Sequence, residues 1–100
     1  MMTILNLADL HKALRKHPQT RAWLLNWMDV TAKADWHSIQ DVRSNFPSAD
    51  GVRIKSGTIV TIFNVKGNEF RLLTSVHYAN QQVFFLDLLT HAEYDKQKWR

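Results

Sequence analysis

The residues of this sequence best suited to chemistry lie in LTHAEYDKQKWR, residues 89–100. The stretch gathers the imidazole of His91, the phenol of Tyr94, the carboxylates of Glu93 and Asp95, and the cations Lys96, Lys98 and Arg100. Histidine, with an ordinary pKa of about 6.5, gives and takes protons near neutral pH. A guanidinium presents a planar fork of donors that matches a phosphate. Arg71 supplies one within FNVKGNEFRLL, residues 63–73. Thr90 followed by Glu93 is the pattern of a capping box, which opens a short helix and occupies Glu93 as a capping acid. His91 and Tyr94, three residues apart, then share a helical face.

The charge balance points the same way. The chain of 100 residues carries a formal net charge of +4. In residues 1–50, six Lys and Arg face five Asp; in residues 51–100, seven Lys and Arg face four carboxylates, so the surplus belongs to the second half. A basic surface favours polyanions such as nucleic acid, or an acidic protein partner. With 45% hydrophobic residues, four Trp and five Phe, the composition is that of one compact domain over 1–100 and excludes a disordered chain. No apolar run approaches the ~20 residues that span a bilayer. The first residues lack the order of a secretory signal, and no cysteine is present. A cytoplasmic protein without membrane contact is expected. The five histidines lack the spacing of a metal site, three glycines make no phosphate-cradling loop, and neither a metal nor another cofactor is expected.

The positioning elements follow from period and punctuation. Met2–Leu5 reads as a short strand. Asn6, with Asp9 three residues on, reads as the cap of a helix that carries Leu7, Leu10 and Leu14 to about Lys16. Pro18 restarts the chain into a second helix, with Leu24, Met28 and Thr31 on one line and Trp23, Trp27 and Val30 beside it. Trp23, Trp27 and Trp36 are expected to bury against a sheet. Ser38 and Asp41 cap a third short helix that ends at Pro47, and PSADG is read as a loop. From Val52 the chain turns β-rich, and Lys66-Gly67 and Asn80-Gln81 mark tight turns between three strands.

If Asn80 and Gln81 are the central turn residues, Tyr78 faces Val83, Leu72 faces Leu89, and Arg71 faces Thr90. The Lys66–Asn68 turn lies just beyond Arg71 at that same end. Lys66, Asn68, Arg71, His91 and Tyr94 therefore converge on one rim, and a slip of register would exchange faces without separating the ends. Each residue has a structural alternative: His91 suits the first turn of a helix beside a capping Thr90. Arg71 has Glu69, Asp87 and Asp95 available as ion-pair partners, Tyr94 is suited to closing the end of the core, and Lys66 and Asn68 are turn-forming types.

FNVKGNEFRLL followed by LTHAEYDKQKW, with KADWHSIQDVRSNFPSAD (33–50) upstream, resembles the HigB branch of RelE-like bacterial toxins. The resemblance covers nearly the whole chain. It implies an α+β fold, with N-terminal helices packed on a small, mainly antiparallel, curved sheet and a short C-terminal helix. It implies an endoribonuclease that acts on mRNA at the ribosome, is neutralised by a cognate HigA-like antitoxin, and meets DNA only through that antitoxin. Such cleavage uses the substrate's 2′-OH as nucleophile, and it needs a base, an acid and cations for the phosphorane. His91 is the candidate base or acid. Tyr94 is placed to orient the 2′-OH, move a proton or stack on a base, and Arg71 to stabilise charge on the phosphate oxygens. Lys66, Lys96 and Lys98 suit flanking phosphates. Asn68 either bonds RNA or only shapes the turn. Set against an interferase are a non-catalytic RNA- or ribosome-binding module on the same rim, and a protein-interaction domain with a basic face. Neither of these needs a histidine beside the arginine.

Overall fold

A computed structural model describes residues 1–100. The elements run β1 (Thr3–Leu5), α1 (Leu7–Lys16), a 3-10 turn (Pro18–Thr20), α2 (Arg21–Lys33), α3 (Ile39–Asn45), β2 (Asp50–Arg53), β3 (Ile59–Val65), β4 (Phe70–His77), β5 (Gln82–Thr90) and α4 (His91–Asp95). The strands form one sheet in the order β1-β5-β4-β3-β2. β1 joins β5 in parallel, and the other three pairings are antiparallel. This is the α+β arrangement expected, with two strands more than the β-rich half alone provides. β2 begins inside PSADG, where Asp50 and Gly51 pair with Ile62 and Thr61. The expected loop is here an edge strand, which needs a partner in space more than a β-prone sequence.

The helices follow the apolar spacing. Leu10 and Leu14 of α1 and Leu24 and Trp27 of α2 are buried, whereas Leu7 is exposed. They join Trp36, Phe63, Leu72, Val83 and Phe85 in the main core. Phe63 is its hub: Trp36 stacks on it at 6.3 Å and Trp27 meets it edge-on at 5.6 Å. Trp27 and Trp36 bury as expected, and Trp23 is half-buried against Phe46.

Two expected caps are not made by side chains. Asn6 takes a left-handed conformation (φ 67°) and donates its amide to Phe85 O at 2.9 Å, so it ties the start of α1 to β5. At α3, Ser38 makes no side-chain cap, and Asp41 accepts from His37 N at 2.8 Å.

The register of β4 on β5 differs from the expected one. The turn occupies four residues, Tyr78 to Gln81, and Val76 pairs Val83. Gln81, at φ 55°, donates its side-chain amide to Trp36 O (2.7 Å) and Tyr78 O (3.0 Å), which stabilises the longer turn. Leu73 then pairs Asp87 while Thr74 pairs Phe85, which leaves Leu86 as a bulge. An extra residue reverses the alternation beyond it. Val83, Phe85 and Leu88 reach the main core, while Leu89 reaches the opposite face. Arg71 consequently pairs Leu89, and Phe70 pairs Thr90. On the far face a second cluster forms from Val60, Ile62 and Leu73, packed by Ile54, Leu89, Tyr94 and Trp99. No helix is long and apolar enough to cross a membrane.

Candidate active site

Three short-range devices hold the rim. The first is the β3–β4 turn, where Lys66 (φ 52°) and Gly67 (φ 68°) both adopt left-handed backbone. Glycine accepts that conformation without steric cost, so the turn closes tightly and delivers Asn68 beside Arg71. The second is the Thr90 capping box. Thr90 Oγ1 accepts from Glu93 N at 3.2 Å, and the Glu93 carboxylate accepts from Thr90 N at 2.9 Å. That backbone hydrogen bond holds the Glu93 carboxyl below its ordinary pKa, against a smaller opposing effect of burial. Glu93 is thus committed to the helix start. The third is a main-chain bond from His91 N to Glu69 O at 3.0 Å, which staples α4 to the turn.

Arg71 alternates with Phe70 and Leu72, which face the main core, and so emerges on the other face of the sheet. Its guanidinium donates to Phe70 O at 3.1 Å and to Asn68 Oδ1 at 3.4 Å, and lies 5.2 Å from the centre of the Tyr94 ring. No carboxylate pairs with it, since the ion pairs nearby join Lys66 to Glu69 (3.7 Å) and His91 to Asp95 (3.6 Å). The three acidic partners available in sequence are all left unused. A half-buried guanidinium with two weak neutral acceptors keeps most of its donor capacity free for an incoming anion.

His91 is about half exposed, with Nδ1 turned toward Asp95 Oδ1. At 3.6 Å the contact is an ion-pair distance for a protonated ring and is too long for a hydrogen bond. Tyr94 is half-buried, and its ring stacks on Trp99 at 5.0 Å with 13° between the planes. Trp99 returns to it through a left-handed turn at Gln97, and Trp99 Nε1 donates to Tyr94 O at 2.9 Å. Tyr94 therefore belongs to the second cluster and also supports Arg71. The expected alternatives for this residue, core or site, are not exclusive.

Lys66, Asn68, Arg71, His91 and Tyr94 thus meet at one end of the sheet. Lys96 and Lys98 follow Tyr94 on the segment that leads to Trp99. They line a cavity of about 360 Å³ with Asp87, Leu89, Glu93 and Trp99. Asp95 is expected from the sequence only as a partner for Arg71, and neither Trp99 nor Asn64 carries an expected role at the rim. Asp95 has a visible signal, the i,i+4 spacing from His91. Trp99 and Asn64, the strand partner of Arg71, have none, because their places depend on a turn and on strand register.

The fold and site define a small α+β protein that gathers an arginine without a carboxylate partner, a histidine and a tyrosine at one end of its sheet. The comparison with known families makes this specific. Residues 20–97 match the model of the HigB toxin family, described as the RelE-like toxic component of a toxin–antitoxin system, and the chain belongs to that family. Among its relatives is the mRNA interferase toxin HigB of Escherichia coli K12, 30% identical over 94% of this chain and 88% of its own length. The mRNA interferase HigB of Shigella flexneri is equally similar over the same shares. That of Escherichia coli O6:H1 is 27% identical over 95% of this chain and 90% of its own length.

Proposed function

We propose that this toxin is a metal-independent endoribonuclease that cuts mRNA at the ribosome and is held inactive by a HigA-like antitoxin. The observation that carries the reading is Arg71: a guanidinium without a carboxylate partner, set between Asn68 and the Tyr94 ring, at the rim that holds His91. An isolated cation in such a place suits a phosphate better than it suits the fold. In the reaction, the substrate's 2′-oxygen attacks the adjacent phosphorus and the 5′-oxygen leaves with a proton, which yields a 2′,3′-cyclic phosphate and a 5′-hydroxyl. Arg71 stabilises the charge that builds on the non-bridging oxygens. His91, with Asp95 3.6 Å from Nδ1, exchanges the proton with the reacting oxygens as base or acid. Tyr94 fixes Arg71 through its ring, and Lys66 and Asn68 meet the phosphate next to the scissile one. The names of the relatives support the substrate, since those proteins are mRNA interferases.

The test is induced expression in a bacterium of the wild type, Arg71→Ala and His91→Ala, with mRNA 5′ ends mapped. New ends within translated messages, lost in variants that remain folded, are expected. Growth arrest without new ends would replace the nuclease by an RNA- or ribosome-binding module.

A further inference from the structure

Arg53, Lys55 and Arg100 converge on one cavity of about 490 Å³, completed by Ile54 and Gln97. All three cations are exposed, no acidic side chain lines the cavity, and none of the three belongs to an ion pair. The convergence is fixed by the backbone, because Lys55 N donates to Arg100 O at 3.0 Å. Like charges held together repel, and a polyanion that spans them relieves the repulsion. The cavity around Lys96 and Lys98 differs in this respect, since Asp87 and Glu93 already balance it.

Position strengthens the case. Ile54 sits between Arg53 and Lys55 in sequence, and Trp99 precedes Arg100; both pack in the cluster that contains Tyr94. The ring of Tyr94 touches Trp99, next to this cavity, and also Arg71, at the candidate active site. The Tyr94–Trp99 pair therefore links the two cation groups. We infer that the cavity between the β2–β3 turn and the segment after α4 is a second phosphate-binding subsite, which takes backbone phosphates of the single RNA strand away from the scissile bond. This rests on the RNA reading above and extends it: one strand crosses from Arg71, past the aromatic pair, to Lys55 and Arg100.

The test uses 2′-O-methyl single strands, which lack the nucleophilic hydroxyl, and follows binding by fluorescence anisotropy across a salt series. Lys55→Gln, Arg100→Gln and their double variant are compared on a trinucleotide and on a strand of about 20 nucleotides. Arg53 is left in place because it donates to Gly57 O at 2.8 Å and supports the turn. Each lost phosphate contact on a single strand lowers the slope of log K against log salt by about 0.7, so the double variant is expected to lose about 1.4 on the long strand alone. An unchanged slope on the long strand, with Arg71→Gln lowering it, overturns the subsite and leaves the RNA reading standing. If Arg71→Gln changes nothing either, both fall. Equal losses on the trinucleotide and the long strand also overturn a separate subsite. So does an unchanged RNA slope accompanied by weaker binding of a polyglutamate peptide, which would assign the cavity to an acidic protein.

Discussion

Arg71→Ala separates a phosphate-binding arginine from a structural one. In the folded protein the side chain makes a long contact to Asn68 (3.4 Å), a bond to its own strand at Phe70 O (3.1 Å) and a contact with Tyr94 at 5.2 Å. An exposed cation–π contact contributes about 0.5–1 kcal/mol, and a long hydrogen bond to a partly exposed amide adds little. No buried carboxylate is stranded by the change, so the large penalty of breaking a buried ion pair does not arise. The loss of stability is therefore about 1 kcal/mol, a fall of roughly 4–8 °C in Tm for a domain of this size. The loss of activity is much larger if Arg71 meets the phosphorane. Removing one preorganised donor from developing negative charge costs about 10²–10³ in rate, or roughly 2.7–4 kcal/mol. Arg71→Lys keeps the charge but loses the fork, and is expected to fall between the two. Single-turnover cleavage of a translated message and urea melts of the same three proteins give both numbers. A folded Arg71→Ala that cleaves within tenfold of wild type would refute the reasoning. So would a stability loss above about 3 kcal/mol, which would make Arg71 a structural residue.

Further outcomes follow from the same geometry. His91→Gln is expected to reduce cleavage by about 10²–10⁴ at little cost in stability, since the side chain is half exposed; equal cleavage by folded protein would remove His91 from the chemistry. Thr90→Ala deletes the cap of α4 and should cost about 1 kcal/mol in urea melts, with no loss meaning that the box is idle. The depressed Glu93 pKa gives that box a pH dependence. Its contribution is full above the unfolded glutamate pKa, about 4.3, and is lost as pH falls through the lower folded value. The stability difference between wild type and Glu93→Gln should therefore shrink below about pH 4; a gap that widens in acid contradicts it. Trp99→Ala removes a stacked ring and an indole hydrogen bond to Tyr94 O, together about 2 kcal/mol. It should also lower cleavage by releasing Tyr94 and Arg71, and unaltered cleavage would make Trp99 a packing residue only.

Much of this protein is written locally. Leu10, Leu14, Leu24 and Trp27 recur at helical spacing and are buried. Gly67 takes the left-handed backbone its type allows in the four-residue turn between Val65 and Phe70, and Thr90 with Glu93 makes the box its spacing announces. Those signals lie within a few residues of one another, so backbone geometry alone decides them. They suffice to bring Arg71 and His91 to one end of the sheet, because a hairpin joins its strand ends whatever the register. The register itself was not legible. The four-residue turn depends on Gln81 reaching Trp36 O, 45 residues away in sequence, and the Leu86 bulge depends on how β5 satisfies two faces at once. The tertiary structure alone decided that Arg71 finds no carboxylate, that Tyr94 has Trp99 beneath it, and that Lys96 and Lys98 share a cavity with Asp87 and Glu93. It also drew Lys55 beside Arg100. Charge and side-chain type are properties of the chain, but which charges are neutralised depends on distances that exist only once the strands are paired.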